Sequence, residues 1–553
     1  MFMEIVRFGI RWSYSGVEAA VDTRLIRSIK NCIGSLASPA SRTATPALNI
    51  YAMSNQHSHT FPFPPMSMKS DTKTPTDLQS QLLTQELLSR SSSQPIFLSS
   101  VEVVGGDTFS REFFGRILRP LVDESDYTLG QLLENVDSSR DKLVKSNVFK
   151  SVAVSLQSDY LALVPKDIVN YNNEKPIYAK VLFDVIPNNI NAADFFLNYN
   201  TDEDLSVTLN YLNNNLNENG ELVNVGANYN PYPPNLHLIT NASLTTSLAD
   251  PSFKFAVDLF NTHQNNQSWQ HASENTGGGL IGLRYSSPSN AFTSLVGALI
   301  AKRNIRDVND DALQDVKNCQ GDFLKTSIVS QLQYSKISFL NNYTKNFPVS
   351  GFDVAASAEL ASNQEQSIPD QKTFAKISVA SRFIASYFNN ALTTQVSADF
   401  GGIFTQTAGV HVSDRFYLGG RQSFRGFSKN AVDPNGGNQF YKLGITLYSR
   451  LPKFLHSTKA PLQEDGLPIE DHSNHDEANP LRLYASSALA SVSNNILQED
   501  NAVGSAGFGL KYVNHWASLD LGYWFAGRLG NGGRSGVHDG FSLAVSLGSS
   551  NRK

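Results

Sequence analysis

The feature that most limits the fold is a change of texture at about residue 192. From there on, segments of about ten residues alternate apolar and polar side chains, separated by clusters of Asn, Gly, Ser, Asp and Pro. In Gln439–Arg450, Leu443, Ile445 and Leu447 share one face while Lys442, Gly444 and Thr446 share the other. In Ala517–Phe525, Leu519, Leu521, Tyr523 and Phe525 oppose Ser518, Asp520, Gly522 and Trp524. In Phe541–Gly548, Phe541, Leu543, Val545 and Leu547 oppose Ser542, Ala544 and Ser546. Successive strand residues point to opposite faces, so a period of two marks a wall that is apolar on one side only. One such strand also suits a soluble sandwich; the repetition points to an all-β transmembrane barrel. Strand starts fall near Asp194, Leu205, Glu221, His237, Phe253, Gly278, Phe292, Lys325, Ser350, Thr373, Ala391, Gln439, Leu481, Ala506, Ala517 and Phe541. That makes about sixteen antiparallel strands, an even number as single-chain barrels usually have. Lys325–Leu340 is long enough to be split in two. Closure is expected, because an open edge in lipid leaves backbone groups without partners.

Charged residues make up 17% of the 553 and hydrophobic ones 41%, values that read as soluble until the alternation is considered. No run of about 18 apolar residues occurs, so no helix of the kind that crosses a bilayer is expected. The net charge of -5 gives no general attraction to nucleic acid. Cys32 and Cys319 are the two cysteines, too few for a disulfide framework or a cysteine zinc site.

Residues 1–75 are rich in Ser, Thr, Pro and Met and lack periodicity, so a disordered extension is expected. Arg7, Arg11, Arg24, Arg27 and Lys30 suit a mitochondrial presequence, whereas Glu4, Glu18 and Asp22 do not. No charged n-region followed by an apolar h-region appears, so a secretory signal is not expected. Residues 76–93 form a linker in which Leu78, Leu82, Leu83, Leu87 and Leu88 have the spacing of a short helix.

Residues 94–187 read as strand, helix, helix, strand, strand. Ile96–Val104 is the first strand. Phe113, Phe114, Ile117, Leu118 and Leu121 mark one helix face, with Pro120 near its end, and Leu129, Leu132, Leu133, Val136 and Leu143 mark the next. Phe149–Leu156 and Tyr178–Val185 alternate as strands. With VEVVGGDTFS (Val101–Ser110) and SNVFKSVAVSL (Ser146–Leu156), this α+β module resembles a POTRA domain.

The longest connection in the barrel region, residues 406–438, contains FYLGG (Phe416–Gly420) followed by FRGF (Phe424–Phe427). Here the chain resembles the outer-membrane assembly superfamily of bacterial BamA and, more closely, the central barrel of the mitochondrial sorting and assembly machinery. The resemblance implies that the loop folds back into the barrel and touches its inner wall. Within this motif of Gly419, Gly420, Phe424, Arg425, Gly426 and Phe427, Arg425 supplies a planar fork of donors, Gly426 permits a tight bend, and Phe427 anchors by packing. Bacterial relatives hold this arginine with acids on strands twelve and thirteen. Strand twelve has none between Gln439 and Arg450, and the matching site on thirteen is Ala488. Asp520 is the expected partner instead.

The segment from His538 through Gly540 to Leu543 and Val545 resembles a mitochondrial β-signal. The resemblance implies strand exchange at a lateral gate. Asp194, Phe196, Asn198 and Asn200 of the first strand would face Phe541, Leu543, Val545 and Leu547 of the last. The implied work is folding and inserting β-barrel precursors, such as porin and the general import pore, into the mitochondrial outer membrane. The POTRA-like module would sit in the intermembrane space, with peripheral subunits of the machinery as further partners. No cofactor, metal or enzymatic role is expected: Asp471–Glu477 reads as a polar loop, GGGLIGLRY (Gly277–Tyr285) lacks the Lys-Ser/Thr pair of a phosphate loop, and no nucleophile–His–acid set is recognisable. The rival readings are a polypeptide-exporting barrel and a passive porin.

Overall fold

The structure, a computed structural model, describes Glu86 and residues 90–159, 177–201, 204–232, 236–340, 347–365, 371–405, 410–451, 480–496, 502–514, 516–529 and 536–550. The expected disordered extension, most of the 76–93 linker and the run 471–477 lie outside the described residues.

The first module begins with strand β1 (Pro95–Val104), helices α1 (Arg111–Ile117) and α2 (Arg119–Val122), and a short strand β2 (Asp126–Thr128). Helix α3 (Leu129–Ser146) and strands β3 (Phe149–Ser158) and β4 (Ile177–Pro187) complete it. The sheet order is β2-β1-β4-β3, with β1 and β4 parallel and the other neighbours antiparallel. The first helix expected from the sequence is two helices, because Leu118 caps α1 and Pro120 opens α2. Proline lacks the N–H an uninterrupted helix would need, yet fits a first turn. The Ser110 hydroxyl accepts from Phe113 N at 3.1 Å, and Thr128 and Gln131 form a capping box at α3. Phe113, Ile117, Leu118, Leu121, Leu132, Leu143, Val181 and Phe183 are almost wholly buried between helices and sheet. Leu133 is 37% exposed, against its expected place on the buried face of α3.

The barrel follows: β5 (Asn191–Asn200), β6 (Asp204–Leu216), β7 (Glu221–Asn230), β8 (His237–Ser247), β9 (Phe253–Asn265), β10 (Ser273–Ser286) and β11 (Phe292–Arg306). After helix α4 (Gln314–Asn318) come β12 (Gly321–Phe339), β13 (Pro348–Glu365), β14 (Gln371–Tyr387) and β15 (Leu392–Thr405). The last five are β16 (Gln439–Arg450), β17 (Leu481–Ser493), β18 (Val503–Val513), β19 (Ala517–Arg528) and β20 (Gly540–Ser550). All sixteen pair antiparallel with their neighbours, and β20 pairs with β5 to close the cylinder. The expected barrel is therefore the fold, and the stretch that seemed divisible is the single strand β12. Ile281, Ile300, Ile328, Leu360, Phe400 and Phe508 point outward and are about half exposed. In water that surface would be a liability; in lipid it is the solvated face. Among the described residues no helix is long and apolar enough to cross a membrane, so crossing falls to the strands.

The module docks on the β6–β7 turn. Ser110 N donates to Glu218 O at 2.8 Å, and Asn215 Nδ2 donates to Thr108 O at 2.6 Å while its Oδ1 accepts from Gly220 N at 2.9 Å. Lys254 of β9 reaches Ser146 O at the end of α3 at 3.3 Å. Because the strands alternate in direction, the long β15–β16 connection leaves from the opposite rim.

Candidate functional site

Three pieces of geometry meet inside the barrel. The first is the tip of the β15–β16 loop. Gly420 N donates to Phe427 O and Phe424 N to Gly420 O, both at 2.9 Å, so the motif closes on itself as a tight turn. Gly419 (φ +130°) and Gly426 (φ +86°) occupy backbone conformations that side chains disfavour. A Cβ on Gly419 would lie 2.3 Å from Ser428 O, and one on Gly426 2.6 Å from Ala526 Cβ. Phe424 and Phe427 are buried with Leu418, Val432, Ala490, Val492 and Val503. That seat places Arg425 against Asp520. Arg425 Nη2 lies 2.9 Å from Asp520 Oδ2, and Nη1 donates to the Tyr484 hydroxyl at 3.3 Å. Arg421 Nη2 reaches the same carboxylate at 3.0 Å, and the Tyr484 hydroxyl donates to it at 2.8 Å. The Arg425 guanidinium also lies 5.0 Å over the Trp524 ring. Sequence reasoning reached Arg425 and Asp520 but missed Arg421, Tyr484 and Trp524. Trp524 was visible on the lumen face of its strand.

The second piece is the base of the same loop, which the sequence left unassigned. Asp414, in a 3-10 turn over Val412–Asp414, is fully buried. Arg303 grips it with two nitrogens at 2.8 and 2.9 Å, Lys325 at 2.7 Å and Asn363 at 2.8 Å. Lys376 Nζ donates to its main-chain oxygen at 2.7 Å. Burial alone would push this carboxyl up, but the charges of Arg303 and Lys325 outweigh it and hold the group well below the usual carboxylate range. Burial, reinforced by Arg303, holds neighbouring His411 down to about 3, so it stays neutral. One acid within VSDRFYLGG signalled this cluster, but its partners come from four separate strands.

The third piece is the β20–β5 seam. Among the described residues its ladder runs through seven pairs, from Ala544 opposite Asn200 to Ser550 opposite Asp194, the shortest in the barrel. The longest, β12–β13, has seventeen. Asp194 is buried in the lumen and Asn198 Oδ1 accepts from Ser546 Oγ at 2.6 Å. Asp194, Phe196, Asn198 and Asn200 therefore face inward. Phe541 and Leu547 are exposed on the outside, with Leu543 and Val545 on their face by alternation. The two expected gate sets thus occupy opposite faces of the wall, and the residue opposite Asn198 is Ser546. The β-signal-like segment joins the loop: His538 N donates to Gly426 O at 2.9 Å, and Phe427 bridges Val537. Gly540 opens β20, and Leu543 and Val545 sit opposite Leu521 and Leu519 of β19.

Residues 191–461 match the Omp85 superfamily domain. The barrel is similar to those of the Omp85 superfamily. A SAM50-like protein of Schizosaccharomyces pombe is 23% identical over 460 residues, covering 79% of this chain and 88% of its own. BamA of Haemophilus ducreyi, solved without POTRA domains 1–3, shares the fold at a TM-score of 0.62. It is 13% identical and matches 86% of this chain and 94% of its own. CdiB of Acinetobacter baumannii superposes at 0.51 with 12% identity, over 97% of this chain and 100% of that one. The loop packs against the inner wall at both its base and its tip. A cavity of about 850 Å³ remains on the module side, bounded by Asn147, Lys254, Leu418 and Lys442.

Proposed function

We propose that the chain folds and inserts β-barrel precursors into the mitochondrial outer membrane, by exchanging strands at the β20–β5 seam. The observation that carries this reading is the seven-pair seam ladder. A precursor strand pairing with β5 replaces, bond for bond, the backbone partners that β20 gives up. The net cost of exchange is then set by ladder length and side-chain fit. A short ladder makes exchange cheap, and in lipid no step may leave the edge bare. Asn198 offers an amide at the centre of the seam, where it now meets Ser546.

The loop held to the wall at both ends supports this reading over a passive porin, in which such a clasped loop would have no role. The SAM50-like relative from a eukaryote supports a mitochondrial setting, with the POTRA-like module toward the intermembrane space and peripheral subunits of the machinery as partners. The work is strand pairing and involves no bond chemistry, cofactor or metal.

The test is disulfide crosslinking in isolated mitochondria, with cysteine at Asn198 and cysteines along a radiolabelled porin β-signal. Crosslinks at one register, lost when the client's signal glycine is replaced, are expected. Crosslinking only to the chain's own position 546 would overturn the reading and favour an exporter or porin.

A further inference from the structure

The loop connects two parts of the wall that are far apart. In the cyclic order of the sixteen strands, β12 and β13 lie directly opposite the β20–β5 seam. The partners of Asp414 straddle that point: Arg303 on β11, Lys325 on β12, Asn363 on β13 and Lys376 on β14. The other end of the loop touches the leader of β20, where Ser428 N donates to Gly536 O at 3.2 Å and His538 N to Gly426 O. Between the ends its two legs are tied together. Phe416 bridges Gly437, and Val432 N donates to Leu418 O at 3.1 Å. Arg415 is clamped to Asp315 at 2.7 Å.

We propose that Asp414 is a positioning residue: it fixes a strut to the wall opposite the seam, so that the far end holds the start of β20 where the last strand meets the first. The base is the drier of the two clasps. The Asp414 and Arg303 side chains are 2% and 11% exposed, whereas Arg421 and Arg425 at the tip are 22% and 27% exposed. Screening therefore weakens the base less. Arg303 and Lys325 converge on this one carboxylate, with Glu359 2.7 Å from Lys325 as the other acid. Removing Asp414 leaves buried cations undercompensated, which drives the base off the wall.

The test needs no client, so its failure is distinct from failure of the assembly reading. In the full chain with Cys32 and Cys319 replaced by serine, Asn198→Cys and Ser546→Cys report seam closure by their rate of oxidative crosslinking. A separate Ser505→Cys variant, buried beneath the tip, reports loop seating by maleimide labelling. Barrel integrity is followed by mobility on unheated gels. D414N and D414A are expected to slow seam crosslinking and speed labelling at 505, each by about tenfold, with the barrel intact. D414E should restore both. If the Asp414 variants do not fold, R303K and N363A weaken one wall contact each and should shift both rates in the same direction. Unchanged labelling would show that Asp414 does not seat the loop. Faster labelling with unchanged crosslinking would show that the loop does not hold the seam. Either result overturns the proposal.

Discussion

Replacing Asp520 with asparagine removes the charge on which the loop tip closes. The carboxylate accepts from Arg425 at 2.9 Å, Arg421 at 3.0 Å and the Tyr484 hydroxyl at 2.8 Å. Hydrogen bonds to charged groups contribute about 1.5–3 kcal/mol each in proteins. Both guanidiniums are partly exposed, so the lower end of that range applies. Two such bonds then amount to about 3 kcal/mol, or roughly 150-fold in the equilibrium for lifting the tip. An amide keeps some acceptor capacity, so Asp520→Asn should lose about 2 kcal/mol and Asp520→Lys, which adds repulsion, the whole. The assay is hydrogen exchange of the peptide spanning 415–438, whose amides at Gly420, Phe424 and Val432 are bonded within the loop. Protection there should fall at least about tenfold in Asp520→Asn, with strand peptides of β11–β14 unchanged. The Arg425→Ala and Asp520→Ala changes should cost less together than the sum of each alone, because they break one interaction. Loop protection in Asp520→Lys equal to the original would refute the clasp.

Gly426→Ala combines a left-handed backbone with a Cβ 2.6 Å from Ala526 Cβ. It should cost about 1–3 kcal/mol of tip stability, read as faster exchange at Phe424. Adding Ala526→Gly should recover the steric part alone. His411 gives a pH dependence: its folded value is lowered from 6.5 to about 3, so the unfolded loop binds the proton more readily. The loop's stability is therefore complete above about pH 6.5 and falls as the pH drops toward 3, by about 2–3 kcal/mol at pH 4.5. Loop exchange measured at pH 7 and 4.5 should show the loss, and His411→Phe should flatten it.

The sequence determined the barrel, because a wall between lipid and a wet lumen must alternate with period two and each strand carries its own signal. Strand starts near Glu221, His237, Phe253, Phe292, Gln439, Leu481 and Ala517 coincide with those observed. The loop motif was equally local: FYLGG and FRGF contain the glycines and phenylalanines that shape the tip. Asp520 was legible by a weaker route, as an acid on an inward face. The Asp414 cluster was not, since Arg303, Lys325, Asn363 and Lys376 are scattered over four strands and converge only once register and closure are fixed. The seam had the same character. Alternation shows that a strand has two faces, but which of them faces the lumen depends on how the sheet curls. Only the closed cylinder sets Asn198 opposite Ser546, turns Leu547 out to lipid, and anchors the loop on the wall across from the seam.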